Sequence, residues 1–143
     1  MSNTLTPQKP QTARAADHAD VVRRGYHAFN TGDIQTMNEL LDEKASWHTP
    51  GRSPIAGEHR GRAAVLAQFG RYGGETNGTF TAALQQVMAS NDGCAVGLHH
   101  NSGLRNGKRL EVDCIIEFEV RDGKIVCGRE HFFDLHAWDA FWA

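Results

Sequence analysis

No stretch of this chain approaches the roughly 18 consecutive apolar residues that a membrane-crossing helix requires. The first sixteen residues are polar, contain proline and carry no apolar core of the signal-peptide kind. No membrane partner is expected, and the cytoplasm is the expected compartment. A concentration of positive charge is also missing. Fifteen Lys and Arg stand against 17 Asp and Glu, for a net charge of -2, and no basic stripe of the kind a nucleic-acid binder presents is visible. The densest basic run, residues 105–109, surrounds Asn106-Gly107 and is expected at a solvated hairpin tip. Cysteine is sparse: Cys94, Cys114 and Cys127 are odd in number and show no CxxC spacing, so they are expected as buried, reduced thiols. Eight histidines are present, but no HExxH or facial-triad spacing, no phosphate-cradling GxGxxG and no GxSxG elbow occurs. Neither a metal nor a cofactor is expected.

What remains is an ordinary globular composition of 143 residues, 40% apolar and 22% charged, enough for one domain with a real core. Residues 1–13 are expected as a flexible tail and 14–143 as the domain. Over residues 14–30, Ala15, Ala19, Val22, Tyr26 and Phe29 recur at steps of three and four, which predicts a helix with one buried face. Asn30-Thr31-Gly32 ends it, and Asp33 suits the N-cap of a second short helix bearing Ile34, Met37, Leu40 and Leu41. A short strand over 45–49 follows, then a loop, then a third helix over 62–72 with Val65, Leu66, Phe69 and Tyr72 on its inner stripe.

From residue 79 the period changes to two. Strands are expected over 79–89 and 94–103, separated by the turn Asn91-Asp92-Gly93. The clearest strand places Leu110, Val112, Cys114, Ile116, Phe118 and Val120 on one face, buried, with the other face largely wet. Asp122-Gly123 turns the chain into a last strand over 124–134, and 135–142 could form a terminal helical turn, or a tail that caps the barrel mouth or a partner subunit. Helices first, then strands joined by short turns, give an α+β class: a curved antiparallel sheet wrapped around a long N-terminal helix.

The most distinctive segment spans residues 47–61, WHTPGRSPIAGEHRG. Pro50, Gly51, Pro54, Gly57 and Gly61 restrict or free the backbone within it. With the run from Val21-Val22-Arg23-Arg24 to Asn30-Thr31-Gly32-Asp33, and with Val120-Arg121-Asp122-Gly123-Lys124-Ile125 leading to Asp139-Ala140-Phe141-Trp142, it resembles the SnoaL-like branch of the ketosteroid isomerase/nuclear transport factor 2-like superfamily. The resemblance covers about residues 21–142. It implies a conical, cystatin-like α+β barrel, a homodimer, and a pocket for a small apolar molecule. Ketosteroid isomerase, the handiest comparison, uses a tyrosine, an aspartate base and a protonated aspartic acid. Those positions fall here on Gly25, Thr49 and Ile116, so that machinery is absent.

If Cys114, Ile116 and Phe118 face inward, superposition on that superfamily turns Trp47, Thr49, Gly97, His99, Asn101, Glu130 and Phe132 inward and His48, His100 and His131 outward, an assignment that a one-residue slip would reverse. His99 is the first candidate for a catalytic acid or base, because imidazole titrates near neutrality; a histidine hydrogen-bonded inside the barrel wall is the alternative. Glu130 is the second, because a carboxyl in an apolar pocket has a raised pKa; a salt bridge to Arg129 or Arg109 is the alternative. If both face inward they could form a relay. Tyr26 could offer its phenol to an oxyanion or simply pack in the core. Trp47, Thr49, Phe69, Asn101, Cys114, Ile116, Phe118 and Phe132 complete the expected ligand wall. The sequence thus points to a cofactor-free isomerase, cyclase or lyase acting on a small apolar compound bearing a carbonyl or similar group. The alternatives are a non-catalytic ligand-binding module and a dimerisation domain whose aromatics fill its own cavity.

Overall fold

The computed structural model describes residues 11–143, with side chains from residue 14 onward. Residues 1–10, where most of the expected tail falls, lie outside the described residues. Helix α1 (Gln11–Thr31) begins three residues earlier than its apolar stripe suggests; Ala13, Ala15 and Ala16 are strong helix formers that need no buried partner to extend it. Its inner face buries Val22, Gly25, Tyr26 and Ala28. Helix α2 (Ile34–Leu40) is capped as expected, with the Thr36 backbone N–H donating to Asp33 Oδ1 at 3.1 Å.

Strand β1 (Leu41–Thr49) starts earlier than the sequence suggests, and the proline-rich segment contains a strand of its own, β2 (Gly57–Arg60). Helix α3 (Arg62–Gly74) then leads to β3 (Thr81–Ala89), β4 (Cys94–Arg105), β5 (Lys108–Arg121), β6 (Lys124–Phe132) and helix α4 (Leu135–Trp142). All six strands form one curved sheet in the order β2-β1-β6-β5-β4-β3. The sheet is largely antiparallel, as expected; β1 and β6 are the pair that runs parallel, with Trp47 opposite Gly128 and His48 opposite Arg129. Strand β2, helix α3 and strands β3, β4 and β5 lie between them in the chain, so the long crossover that parallel strands need is available. The class is α+β.

Helix α1 packs against β3, β4, β5 and β6. Asn30 pins its C-terminal end by a two-point clamp, donating from Nδ2 to Ala82 O at 2.8 Å and accepting the Ala82 N–H at 2.9 Å. Strand β5 behaves as its alternation demands: Leu110, Val112, Cys114, Ile116, Phe118 and Val120 are all buried. Of the three thiols only Cys114 is buried; Cys94 is exposed and Cys127 half-buried. Cys94 has the parity of the outward-facing Val96 and Leu98, and Cys127 that of the outward Arg129, so alternation places both on the outer side.

Helix α4 is more than a helical turn. Trp138, Phe141 and Trp142 are almost fully buried, and Trp138 stacks on Phe132 with ring centroids 3.8 Å apart. The basic hairpin tip is correspondingly not only solvated. Arg105 donates to Phe141 O at 3.0 Å and Lys108 to Ala140 O at 2.9 Å, satisfying the last carbonyls of α4. No helix among the described residues is long and apolar enough to cross a membrane.

Candidate functional site

Between α1, α3 and the inner face of the sheet lies a cavity of about 50 Å³. At roughly 10–15 Å³ per water it takes about four waters, or a ligand of about five non-hydrogen atoms. Its wall is mainly aromatic and aliphatic. Of the expected residues, Tyr26, Trp47, Phe69, Asn101, Ile116, Phe118 and Glu130 line it. Thr49, His99, Cys114 and Phe132 do not. Thr49 and His99 stand one side chain behind the wall, hydrogen-bonded to groups that line it. The Cys114 thiol donates to Ile115 O, and Phe132 belongs to the cluster around Trp138.

Two glycines let the aromatics reach their places. A Cβ on Gly97 would lie 2.7 Å from the Tyr26 ring and hydroxyl, and one on Gly128 would lie 2.1 Å from the Trp47 ring. Neither distance is sterically allowed, so Tyr26 and Trp47 lie directly on bare backbone of β4 and β6. Trp47 is held from its other sides by edge-on contacts to Phe69 at 4.8 Å and Phe118 at 6.0 Å.

Glu130 is 4% exposed, and no arginine meets it. Its Oε1 accepts three hydrogen bonds, from Trp47 Nε1 at 2.9 Å, Thr49 Oγ1 at 2.7 Å and the Tyr72 hydroxyl at 2.7 Å. Both hydroxyls thereby commit their single protons to the carboxylate. Gln68 Nε2 then donates to Thr49 Oγ1 and to the Tyr72 oxygen, each at 3.2 Å, and to Ile55 O at 2.9 Å. The arrangement leaves Gln68 Oε1 without a hydrogen-bond partner among the described residues. Burial pushes the Glu130 carboxyl above the ordinary carboxylate range, against the pull of Thr49, Tyr72 and Trp47, which favour its ionised form. Every hydrogen bond to this carboxyl among the described residues falls on Oε1, so Oε2 is the oxygen left for a ligand. Thr49, where the ketosteroid isomerase base would fall, supports a carboxyl that arrives from β6.

A second polar chain runs along β4. His99 is 1% exposed. Its Nε2 lies 2.9 Å from Asn101 Oδ1, and its Nδ1 lies 2.6 Å from the Tyr26 hydroxyl. Asn101 Nδ2 donates to Thr81 O at 3.2 Å, which fixes the amide with Oδ1 towards the imidazole. Burial pushes the His99 pKa down to about 4, with the Asn101 bond opposing, so the ring carries one proton at neutral pH. Asn101 Oδ1 requires that proton on Nε2. Nδ1 is then an acceptor, and Tyr26 donates to it. In this arrangement the Tyr26 proton faces His99 and not an oxyanion in the cavity. The phenol stays protonated, because burial and the neighbouring Cys114 and Glu130 raise its pKa.

No hydrogen bond joins His99 to Glu130 among the described residues, so the two expected catalytic groups form separate clusters rather than a relay. Tyr72 and Gln68 were read from the sequence only as part of the α3 stripe or not at all. A glutamine on an apolar stripe, four residues before a tyrosine, was the available signal, since a buried amide needs partners. Among the described residues no group of three or more His, Cys, Asp or Glu side chains is placed to hold a metal ion.

Several known proteins share this framework. Bal32a, from a soil-derived mobile gene cassette, superposes with a TM-score of 0.89 at 60% sequence identity, over 91% of this chain and 99% of that one. An uncharacterised protein of Mycobacterium tuberculosis is 31% identical over 124 residues, 87% of this chain and 95% of that protein. IdmH of Streptomyces antibioticus, a candidate polyketide cyclase, shares the fold with a TM-score of 0.70 at 22% identity, over 85% of this chain and 95% of that one. The model of the SnoaL-like domain matches residues 22–127. With that match, the curved sheet around α1 and the inward polar groups, the chain belongs to the SnoaL-like family of the nuclear transport factor 2-like superfamily.

Proposed function

We propose that this protein is a cofactor-independent acid–base enzyme of the isomerase, cyclase or lyase type, acting on a small carbonyl compound, with Glu130 as the group that moves the proton. One observation carries the reading: a buried glutamate lines a mainly apolar cavity, its carboxyl anchored through Oε1 by three donors and its Oε2 without a hydrogen bond among the described residues. Burial favours the neutral acid and the three donors favour the carboxylate. A group held between these pulls can both accept and return a proton. In the reaction Oε2 takes a proton from the carbon next to the carbonyl. The C–H electron pair becomes the enolate C=C bond, and the carbonyl electrons move to oxygen. Asn101, whose Nδ2 has one acceptor in Thr81 O, supplies its second N–H to that oxygen. The same carboxylic acid then returns the proton at another carbon, or the enolate closes a ring or expels a β-substituent. The candidate cyclase activity of IdmH lies within this class.

Deuterium incorporation next to the carbonyl of small ketones in D₂O, followed by proton NMR, tests the step without knowledge of the natural substrate. Exchange catalysed by the protein and reduced about a hundredfold or more in Glu130→Gln is the expected outcome, the range that general acid–base catalysis supplies. Ligands that bind and are recovered without exchange would instead favour the carrier reading, which the largely apolar wall also accommodates. A homodimer belongs to the same proposal, and sedimentation showing only monomer at micromolar concentration would remove it.

A further inference from the structure

The cavity wall has a polarity that the family fold does not dictate. It lies in the direction of one proton. Tyr26 is 6% exposed and lines the cavity, and its hydroxyl points its hydrogen away from that space, into His99 Nδ1 at 2.6 Å. His99 cannot reciprocate, because its own hydrogen is held on Nε2 by Asn101 Oδ1, and Asn101 is held in turn by Thr81 O. The chain Tyr26 to His99 to Asn101 therefore runs one way. Any part of that hydroxyl a ligand can reach offers a lone pair rather than a hydrogen. A ligand carbonyl placed there meets repulsion; a ligand hydroxyl meets an acceptor in a dry site, where an unmatched polar group costs most.

We infer that the natural substrate is a small hydroxy-carbonyl compound, whose hydroxyl donates to the Tyr26 oxygen while its carbonyl oxygen takes the spare N–H of Asn101. Tyr26 and Asn101 are the two wall residues that grip the same imidazole, so the hydroxyl and carbonyl belong on neighbouring carbons. The cavity volume of about 50 Å³ limits the molecule to about five non-hydrogen atoms unless the aromatic wall shifts. His99 touches no ligand. It is a positioning residue, and its effect is to dictate which way the Tyr26 hydroxyl turns. This assignment rests on Glu130 being the proton-transfer group only for the word substrate; the polarity of the wall stands without it.

Three probes of nearly equal size separate the possibilities: hydroxyacetone presents a donor, 2-butanone a methyl group, and 2,3-butanedione an acceptor. Their affinities for wild-type protein, Tyr26→Phe and His99→Leu are measured by ligand-observed NMR. In the wild type hydroxyacetone should bind better than 2,3-butanedione. In Tyr26→Phe the hydroxyacetone preference over 2-butanone should fall about tenfold, the loss of one hydrogen bond in a buried site. In His99→Leu the Tyr26 proton is released to turn inward, and 2,3-butanedione should gain about tenfold over 2-butanone. A structural role for His99 would weaken all three probes alike and would not move the ratio. Wild-type preference for the diketone, ratios unmoved by either replacement, or no binding by any probe would overturn the inference. Tyr26→Phe removes one oxygen only and keeps the test open if His99→Leu does not fold. Deuterium exchange into 2-butanone is read in the same samples. Exchange that needs Glu130, without a hydroxyl preference, rejects this inference alone; a hydroxyl preference without exchange rejects the enzymatic reading and leaves the polarity of the wall.

Discussion

His99 and His100 are neighbours on β4 and differ in every physical respect that matters. His99 points into the barrel, is 1% exposed, bonds only to neutral groups, and has its pKa pushed down by burial. His100 points outward and lies between two carboxylates, with Nε2 2.5 Å from Glu111 and Nδ1 2.8 Å from Asp113. Those bonds raise its pKa. The same contrast runs across the whole sheet. Outside, His48 pairs with Glu58 and His131 with Glu117, all exposed. Inside, Glu130 and His99 are served by hydroxyls, an indole and amides, and no charged partner is within hydrogen-bonding reach. The outer face keeps its charge pairs in solvent. The inner face buries two titratable groups, and burial raises the pKa of Glu130 and lowers that of His99, the kind of environment the proposed proton transfer requires.

The largest expected consequence of this difference lies in acid stability. His99 has a folded pKa near 4 against 6.5 for the free side chain. Between those values the unfolded chain binds a proton that the folded protein refuses, so stability falls as pH drops from about 6.5 to about 4. The full gap corresponds to about 3 kcal/mol. Glu130, whose pKa is raised, acts oppositely: it costs stability as pH rises above the free carboxyl value. Wild type must therefore be compared with His99→Gln, which keeps Glu130 and removes the imidazole. Urea unfolding from pH 7 to pH 4 should show the acid-induced loss in the wild type and most of it absent in the variant. Parallel curves for the two proteins would mean that His99 is not a neutral interior group.

Next in size are the glycines beneath the aromatics. Gly128→Ala places a methyl group in the Trp47 ring, and Gly97→Ala places one against the Tyr26 hydroxyl. Overpacking of this kind costs about 1–3 kcal/mol, and each substitution also loosens one polar cluster: the first the Trp47 donor to Glu130, the second the Tyr26 bond to His99. Arg129→Ala, one residue from Gly128 but on the wet face, should change stability by less than about 0.5 kcal/mol. Thermal melts of the three variants sharpen the inside–outside distinction; equal losses in all three would dissolve it.

How much of this was legible beforehand follows the same division. Period-two alternation was plain on β5, and superposition on the resembled family carried that register to its neighbours, so that His99 rather than His100, and Glu130 rather than His131, were turned inward. The α1 stripe and the Asp33 cap were equally plain. Strand β2 was not: four residues between glycines are too short to show a period, and their pairing with β1 is a long-range fact. The parallel β1–β6 pair was hidden for the same reason. At the site, sequence could name Glu130 and Tyr26 but not their partners. That Tyr72, Thr49 and Trp47 converge on one carboxyl oxygen depends on three elements meeting. The direction of the Tyr26 proton depends on Asn101 and Thr81, two strands away from α1, and no local pattern records it.

The smallest effect concerns His100, and it tests the contrast from the outside. Its pKa is raised by the Glu111 and Asp113 hydrogen bonds, so the folded protein holds a proton that the unfolded chain loses first. The sign is opposite to that of His99: the stabilisation is fully present below the free histidine value and is lost as pH rises through the folded one. The side chains involved are 34%, 47% and 44% exposed, so solvent and salt screen the pair and its worth stays below about 0.5 kcal/mol. Titration of the imidazole ring protons by NMR should show His100 changing charge above the ordinary histidine value and returning towards it in Glu111→Gln/Asp113→Asn. Raising the salt concentration should move His100 in the same direction and leave His99 where it is, because a charge pair in water is screened and a desolvation penalty is not. If salt moved both rings together, the two faces would share one electrostatic environment and the interior would not be dry enough to set the protonation of Glu130.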